Sequence, residues 1–405
     1  WLEIADRYLA WIEILDEKTE EEIARLGEDA LSACRVNLKR APSLLDLADG
    51  DIDCIRLFRS IRDENPSDTG QLFEWIDRLM QAFAKSKWLA SEMLASAGKL
   101  ASGVRELSES INVSFLYDAE RRLFSIGYNV SEGRLDSSYY DLLASEARLG
   151  SFIAIAKGDV PIEHWFSMSR PYGSIGRHRA LLSWAGTMFE YLMPLIFQRS
   201  YSNSLLDKAT EEAVAIHVAY GRRRRVPWGI SESAFGDLDV NKVYQYKAFG
   251  VPELGLKRNV REEIVVAPYA ALLALNAAPR EAVRNLRRLA ELGLLHIHGF
   301  YEAVDFGRQP RRDGEGGVIV RAYMAHHQGM GFLSLNNFIN GNPIQRRFHA
   351  DPRVRAVEPL LHERIPILPP LHHVSTRERM PSVMSVGEVA PSVSKFDTPH
   401  TLSLI

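Results

Sequence analysis

The chain has 405 residues, 46% of them hydrophobic and 25% charged, an ordinary globular composition with room for one large domain or two to three smaller ones. A net charge of −3 sets up no field toward nucleic acid, so no nucleic-acid partner is expected. Two cysteines, Cys34 and Cys54, are too few for a disulfide scaffold, and no uninterrupted apolar run is long enough to span a membrane.

The chain opens at Trp1 in mid-helix pattern, without a signal peptide, and reads as a segment of something longer. Residues 1–110 read as helix after helix. Tyr8, Leu9, Trp11 and Ile12, then Leu72, Trp75, Ile76, Leu79, Met80 and Phe83, keep helical spacing, with breaks at Arg40–Ser43 and Asn65–Ser67. At 111–131 the period changes. Asn112–Tyr117 and Leu123–Asn129 read as short strands joined by a turn at Asp118–Arg122, a β-hairpin. Helices are expected again at 136–156, 180–197, 205–220, 261–275, 280–292 and 318–339, joined by long aromatic- and glycine-rich loops of the kind that carry function. About twelve helices in all, with functional loops at one end, suggest an all-α (α/α)6 barrel, a toroid with a small β-hairpin insertion and long loops over a cleft. The expected division is N-terminal helices at 1–110, part of or packed on the barrel, a catalytic region at 111–365, and a proline-rich extended tail or linker at 366–405.

Two glutamates stand in aromatic surroundings. Glu232 follows Trp228 and Gly229 at a loop-to-helix junction, and Glu302 follows Phe300 and Tyr301, with Asp305 three residues on. Burial near a ring disfavours the charged carboxylate, which suits a general acid. Glycosidic-bond chemistry needs one such acid and a second carboxylate as base or nucleophile. The spacing alone leaves the plainer readings open, a helix-start glutamate for Glu232 and a surface pair for Glu302 and Asp305. Glu190 lies in an apolar stretch with Trp184 and must have a partner or a ligand there. Tyr139, Tyr140 and Asp141, with Glu146 and Arg148 near the start of the next helix, and Tyr244 with Tyr246, offer rings and polar groups for sugar hydroxyls or for plain packing. His326, His327 and Gln328 lack the i, i+4 spacing of a zinc helix, so no metal is expected, and hydrogen bonding to substrate or a carboxylate is the alternative. Arg222–Arg225 reads as a solvated helix end. No phosphate loop, nucleophile elbow or dinucleotide fingerprint occurs, so no cofactor is expected.

The run from Phe115 to Pro366 resembles the glycoamylase-like domain of cyclic β-1,2-glucan synthases. The stretches that carry the resemblance include FLYDAERRLFSIGYNVSEGRLDSSYYDLLASEARLGSFIAIAKGDVP, GTMFEYLMPL, VPWGISESAF, YQYKAFGVPELGLKR, GFYEAVDF, RAYMAHHQGM and RRFHADPRVRAVEPLLHERIP. TPHTLSLI, at 398–405, resembles the entry to the phosphorylase-like domain that follows in those synthases. The resemblance implies an (α/α)6 barrel acting on β-1,2-glucan, either cutting and rejoining the chain into a ring or hydrolysing it as related endo-β-1,2-glucanases do. It implies Glu232 as general acid/base and Glu302 as nucleophile of a retaining mechanism, with Glu190 able to replace either. It implies a larger inner-membrane synthase, with this module on the cytoplasmic side and other domains as neighbours. A non-catalytic β-glucan-binding module is the alternative.

Overall fold

Two short helices near the start of the chain are capped by side chains. Thr19 and Ser43 each accept a hydrogen bond from the third helical N–H while the residue there returns one to the cap, which settles the starts of Glu20–Ala24 and Leu44–Asp49. The computed structural model describes residues 2–39, 42–176, 178–257, 263–307, 317–365 and 371–372. The chain is mostly helical with small two- and three-stranded sheets, and it divides into two compact units, residues 1–112 and 113–405. No described helix is long and apolar enough to cross a membrane.

The first unit has helices Leu2–Asp16, Glu20–Ala24, Glu28–Lys39, Leu44–Asp49, Asp53–Glu64 and Gln71–Ser110. Trp11 meets Phe83 edge-on at 5.5 Å and Phe58 meets Trp75 at 5.3 Å, in a core that also holds Ile55, Ile76 and Leu79. Cys34 and Cys54 are buried free thiols in this core, and burial pushes both up, to about 11 and about 12.

In the second unit the longer helices are Ala147–Lys157, Leu205–Arg224, Pro279–Glu291 and Ala325–Ile339. Several expected helices are shorter than their patterns, because strand pairing overrides local propensity. The stretch 136–146 is not helical. Ile126 N–H donates to Ser138 O and Tyr140 N–H to Phe124 O, and the helix begins only at Ala147. His178–Leu181 pairs with Tyr172–Ile175, so the next helix starts at Met188, capped by Thr187. Val265–Val266 and Val318–Val320 flank Ala303–Asp305 in a three-stranded antiparallel sheet, which removes the starts of two more expected helices. The predicted hairpin is present as Tyr117–Asp118 against Leu123–Phe124, and a second pairs Tyr128–Asn129 with Arg134–Leu135. Apart from residues 371–372, the proline-rich stretch after Pro366 lies outside the described residues.

Candidate active site

Glu232 is carried on a loop whose neighbours are all tied down. Trp228 donates its N–H to Asn285 Oδ1 at 3.1 Å and accepts from Asn285 Nδ2 at 2.8 Å. Gly229 takes a left-handed φ of +107°, and a Cβ there would press on Ala270 at 3.3 Å. Its carbonyl accepts from Ala267 N, and Ile230 O accepts from Met188 N. Ser231 Oγ accepts from Phe189 N at 3.0 Å and shares a hydrogen bond with Tyr269 Oη at 2.8 Å. The Glu232 carboxyl itself takes no hydrogen bond from a described residue. Burial, then the charges of Glu190 and Glu146, raise it to about 7.

Glu146 was passed over in the sequence as a residue near a helix start. It is the N-cap of Ala147–Lys157 yet caps nothing with its side chain. Ser145, before it, holds a left-handed φ of +51°, unusual for a non-glycine residue and a form of strain that collects at functional sites. Its hydroxyl donates to Glu146 Oε2 at 2.5 Å. The Glu146 charge acts on Tyr140, Glu232, Tyr246 and His326, so these groups lie near it. Trp184, 53% exposed, sits beside this segment through its N–H to Leu143 O at 3.0 Å. A half-exposed residue preceded by a left-handed serine was not readable from spacing.

Glu190 is buried, and its carboxylate is fully engaged. It accepts from Ser183 Oγ at 2.7 Å, Ala185 N at 3.1 Å and Thr187 N at 3.0 Å, completing a capping box with Thr187. Burial pushes it upward against these donors. It therefore shapes the 183–187 turn, and its charge acts on Glu232. Gly186 and Gly250 let that turn meet the 249–255 segment. A Cβ on Gly250 would lie 1.9 Å from Ala185 O.

The expected nucleophile, Glu302, is also out of reach. Its side chain has no exposed surface. Oε1 accepts from Ala234 N at 3.2 Å and from His327 Nδ1 at 2.8 Å, while Oε2 is buried without a hydrogen-bond partner. Asp305 is buried as well and accepts from Gly236 N and Gly307 N at 3.0 and 2.9 Å. Ala234 and Gly236 lie two apart on Ser233–Leu238, where the pairing register shifts. The two carboxylates thus pin the strand that pairs with Tyr244–Lys247. The stretch 303–305 is a strand and both carboxylates are buried, so Glu302 and Asp305 are not a surface pair.

His327 is buried, stacked on Tyr269 at 3.9 Å, and its Nε2 lies 3.4 Å from Tyr246 Oη. His326 is exposed beside it. Gln328 donates to Phe300 O at 3.0 Å and so holds a hairpin rather than facing the acidic cluster. Tyr301 stacks on His296 at 5.1 Å and meets Tyr323 at 5.3 Å. Trp228 is 6% exposed and belongs to the core, which removes it as a sugar platform. Tyr139 donates to Asp118 at 2.7 Å and lies under Arg121, and Asp141 accepts from Ser169 Oγ at 2.5 Å. Tyr244 is half-buried on the hairpin and packs against the core. No cluster of metal-ligating side chains occurs among the described residues.

The second unit is thus mostly helical, with Glu146 close enough to act on Glu232 and with Glu190 and Glu302 buried. Residues 138–352 match the Glycoamylase family, described as "Putative glucoamylase", and the chain belongs to that family. It is 37% identical over 407 residues to the cyclic beta-(1,2)-glucan synthase NdvB of Rhizobium meliloti (strain 1021), a match that takes in 95% of this chain and 14% of that protein. The chain thus spans about one seventh of that relative's length. It is also similar to an endo-beta-1,2-glucanase from Chitinophaga pinensis, with a TM-score of 0.49 and 14% identity over 76% of this chain and 69% of that chain. A beta-1,2-glucanase from Parabacteroides distasonis gives a TM-score of 0.48 and 11% identity over 76% of this chain and 44% of that one.

Proposed function

We propose that this chain cleaves a β-1,2-glucosidic bond within a glucan and passes the cut chain to a sugar hydroxyl or to water, using Glu146 and Glu232. The observation that carries the reading is accessibility. Of the four glutamates in this region, Glu190 and Glu302 are buried and held by protein donors, whereas Glu146 and Glu232 are partly exposed. In the free protein the proton rests on Glu232, held there to about 7 by burial and by its like-charged neighbours. Glu146 then serves as the nucleophile. Transfer to a sugar needs the cut chain kept in place while the acceptor arrives, and a covalent glycosyl–enzyme intermediate does that, with retention at the anomeric carbon. The family match and the resemblance to a cyclic β-1,2-glucan synthase support the substrate class. The helices and the loop-borne site are consistent with an (α/α)6 arrangement, and the module would work beside other domains of a larger synthase.

The test is incubation of the chain with linear β-1,2-glucan, resolving shortened from cyclic products. Glu146→Ala and Glu232→Ala should each lower turnover by about a thousandfold or more. Azide should give β-glucosyl azide from Glu232→Ala and α-glucosyl azide from Glu146→Ala. The reverse pattern keeps the pair and exchanges the roles. Full activity in either variant sinks the pair, and tight binding without any product sinks the enzymatic reading.

A further inference from the structure

The Tyr246 phenol lies at the edge of the acidic cluster, 45% exposed, at the front of a line of polar groups that ends in a carboxylate with no exposed surface. Glu302 Oε1 accepts from the backbone N–H of Ala234 at 3.2 Å, and as a carboxylate it has no proton to give. His327 Nδ1, 2.8 Å from the same oxygen, must therefore donate. In the neutral imidazole Nε2 is then an acceptor, and it faces Tyr246 Oη at 3.4 Å, a spacing of the kind that tightens when a ligand closes a site. The ring cannot turn away. Tyr269 lies flat against it at 3.9 Å and 13°, and Tyr269 is itself tied to Ser231 Oγ and to Glu232 O, at 2.8 and 3.0 Å.

We infer that Glu302 and His327 are positioning residues that fix the polarity of the Tyr246 hydroxyl, and that Tyr246 is a specificity-determining residue accepting a hydrogen bond from a sugar hydroxyl beside Glu232 and Glu146. With its own proton committed to His327 Nε2, the phenolic oxygen presents only lone pairs to the cleft. Burial and then the charges of Glu232, Glu302 and Glu146 raise its pKa, so it stays a neutral phenol. The site then selects a ligand group that donates at this point, which a hydroxyl does and an ether or deoxy carbon does not. The arrangement accounts for Glu302, a glutamate in a family-matching motif that cannot itself reach substrate.

The inference rests on the glucan-cleaving reading for its kinetic test and has a second readout that does not. Tyr246→Phe keeps the ring and removes the hydroxyl, and should lower kcat/KM on linear β-1,2-glucan about tenfold or more, mainly through KM. His327→Asn offers an amide near the position of Nδ1 and nothing at Nε2, so it keeps a donor for Glu302 and should match Tyr246→Phe. Their costs should not add in the double variant, because both remove one hydrogen bond. His327→Gln, which offers an amide near the position of Nε2, should recover part of the loss. Additive costs, or a harmless Tyr246→Phe, overturn the inference. The ¹⁵N shifts of His327 in the intact chain report the tautomer without any turnover. A proton on Nδ1 is expected, and one on Nε2 refutes the relay. If the wild-type chain turns over no glucan, the functional reading fails while the tautomer still decides the relay.

Discussion

Replacing Glu232 by glutamine should stabilise the protein at high pH and leave it unchanged at low pH. The rise of this carboxyl from 4.5 to about 7 means that its ionised form costs the folded state about 3 kcal/mol more than the unfolded one. Between those two values the native state holds more protons than the unfolded chain, so stability falls as pH rises. The penalty is absent below 4.5, where both states are protonated, and complete above about 7. Glutamine never ionises. The gap between variant and wild type should therefore open from near zero at pH 4 to about 3 kcal/mol at pH 8, on the order of 6–10 °C in the melting of the second unit. Thermal melts of both proteins across this range measure it. Groups distant from Glu232 titrate alike in both proteins and cancel in the difference. A gap that does not vary with pH would refute the account of Glu232, and with it the reason for placing the proton there.

Trp184→Ala should raise KM for linear glucan about tenfold, the value of roughly 50 Å² of ring surface covered by a sugar face, with the melting temperature unchanged. Gly250→Ala, which drives a Cβ into Ala185 O, should cost about 3 kcal/mol or more in chemical denaturation and disturb the turn that Glu190 holds. Asn285→Ala leaves the buried N–H and C=O of Trp228 unmatched and should cost about 2–3 kcal/mol, measured the same way. Glu190→Gln removes a charge that raises Glu232, so the loss of the Glu232 proton should move to lower pH in the pH–kcat/KM profile.

Much of the helical order was legible. Leu205–Arg224, Pro279–Glu291 and Ala325–Ile339 lie within or close to their predicted spans, because each shows an apolar face over several turns. The misread starts at 136, 180, 261 and 318 share one cause. Each lies where the chain pairs with another segment, a hairpin neighbour at 178–181 and a more remote stretch at the others, and the pairing is not part of the segment's own apolar period. The candidate site divides in the same way. Glu232 was legible because Trp228 and Gly229 mark its loop. Trp228 itself was misjudged, since a tryptophan beside a glycine reads alike whether its ring faces a cleft or, as here, the core.

The sequence by itself determined the family, through long motifs, and the chemistry at hand, carboxylates amid aromatic rings. Tertiary structure alone decided which carboxylates are accessible. Glu190 and Glu302 lie in motifs as strong as those around Glu146 and Glu232. Yet Glu190 satisfies the donors of its own turn, and Glu302 receives a strand N–H and an imidazole from segments far away in the chain. Access to solvent and the donors around a carboxylate depend on how distant segments pack, and no local pattern of residues encodes either.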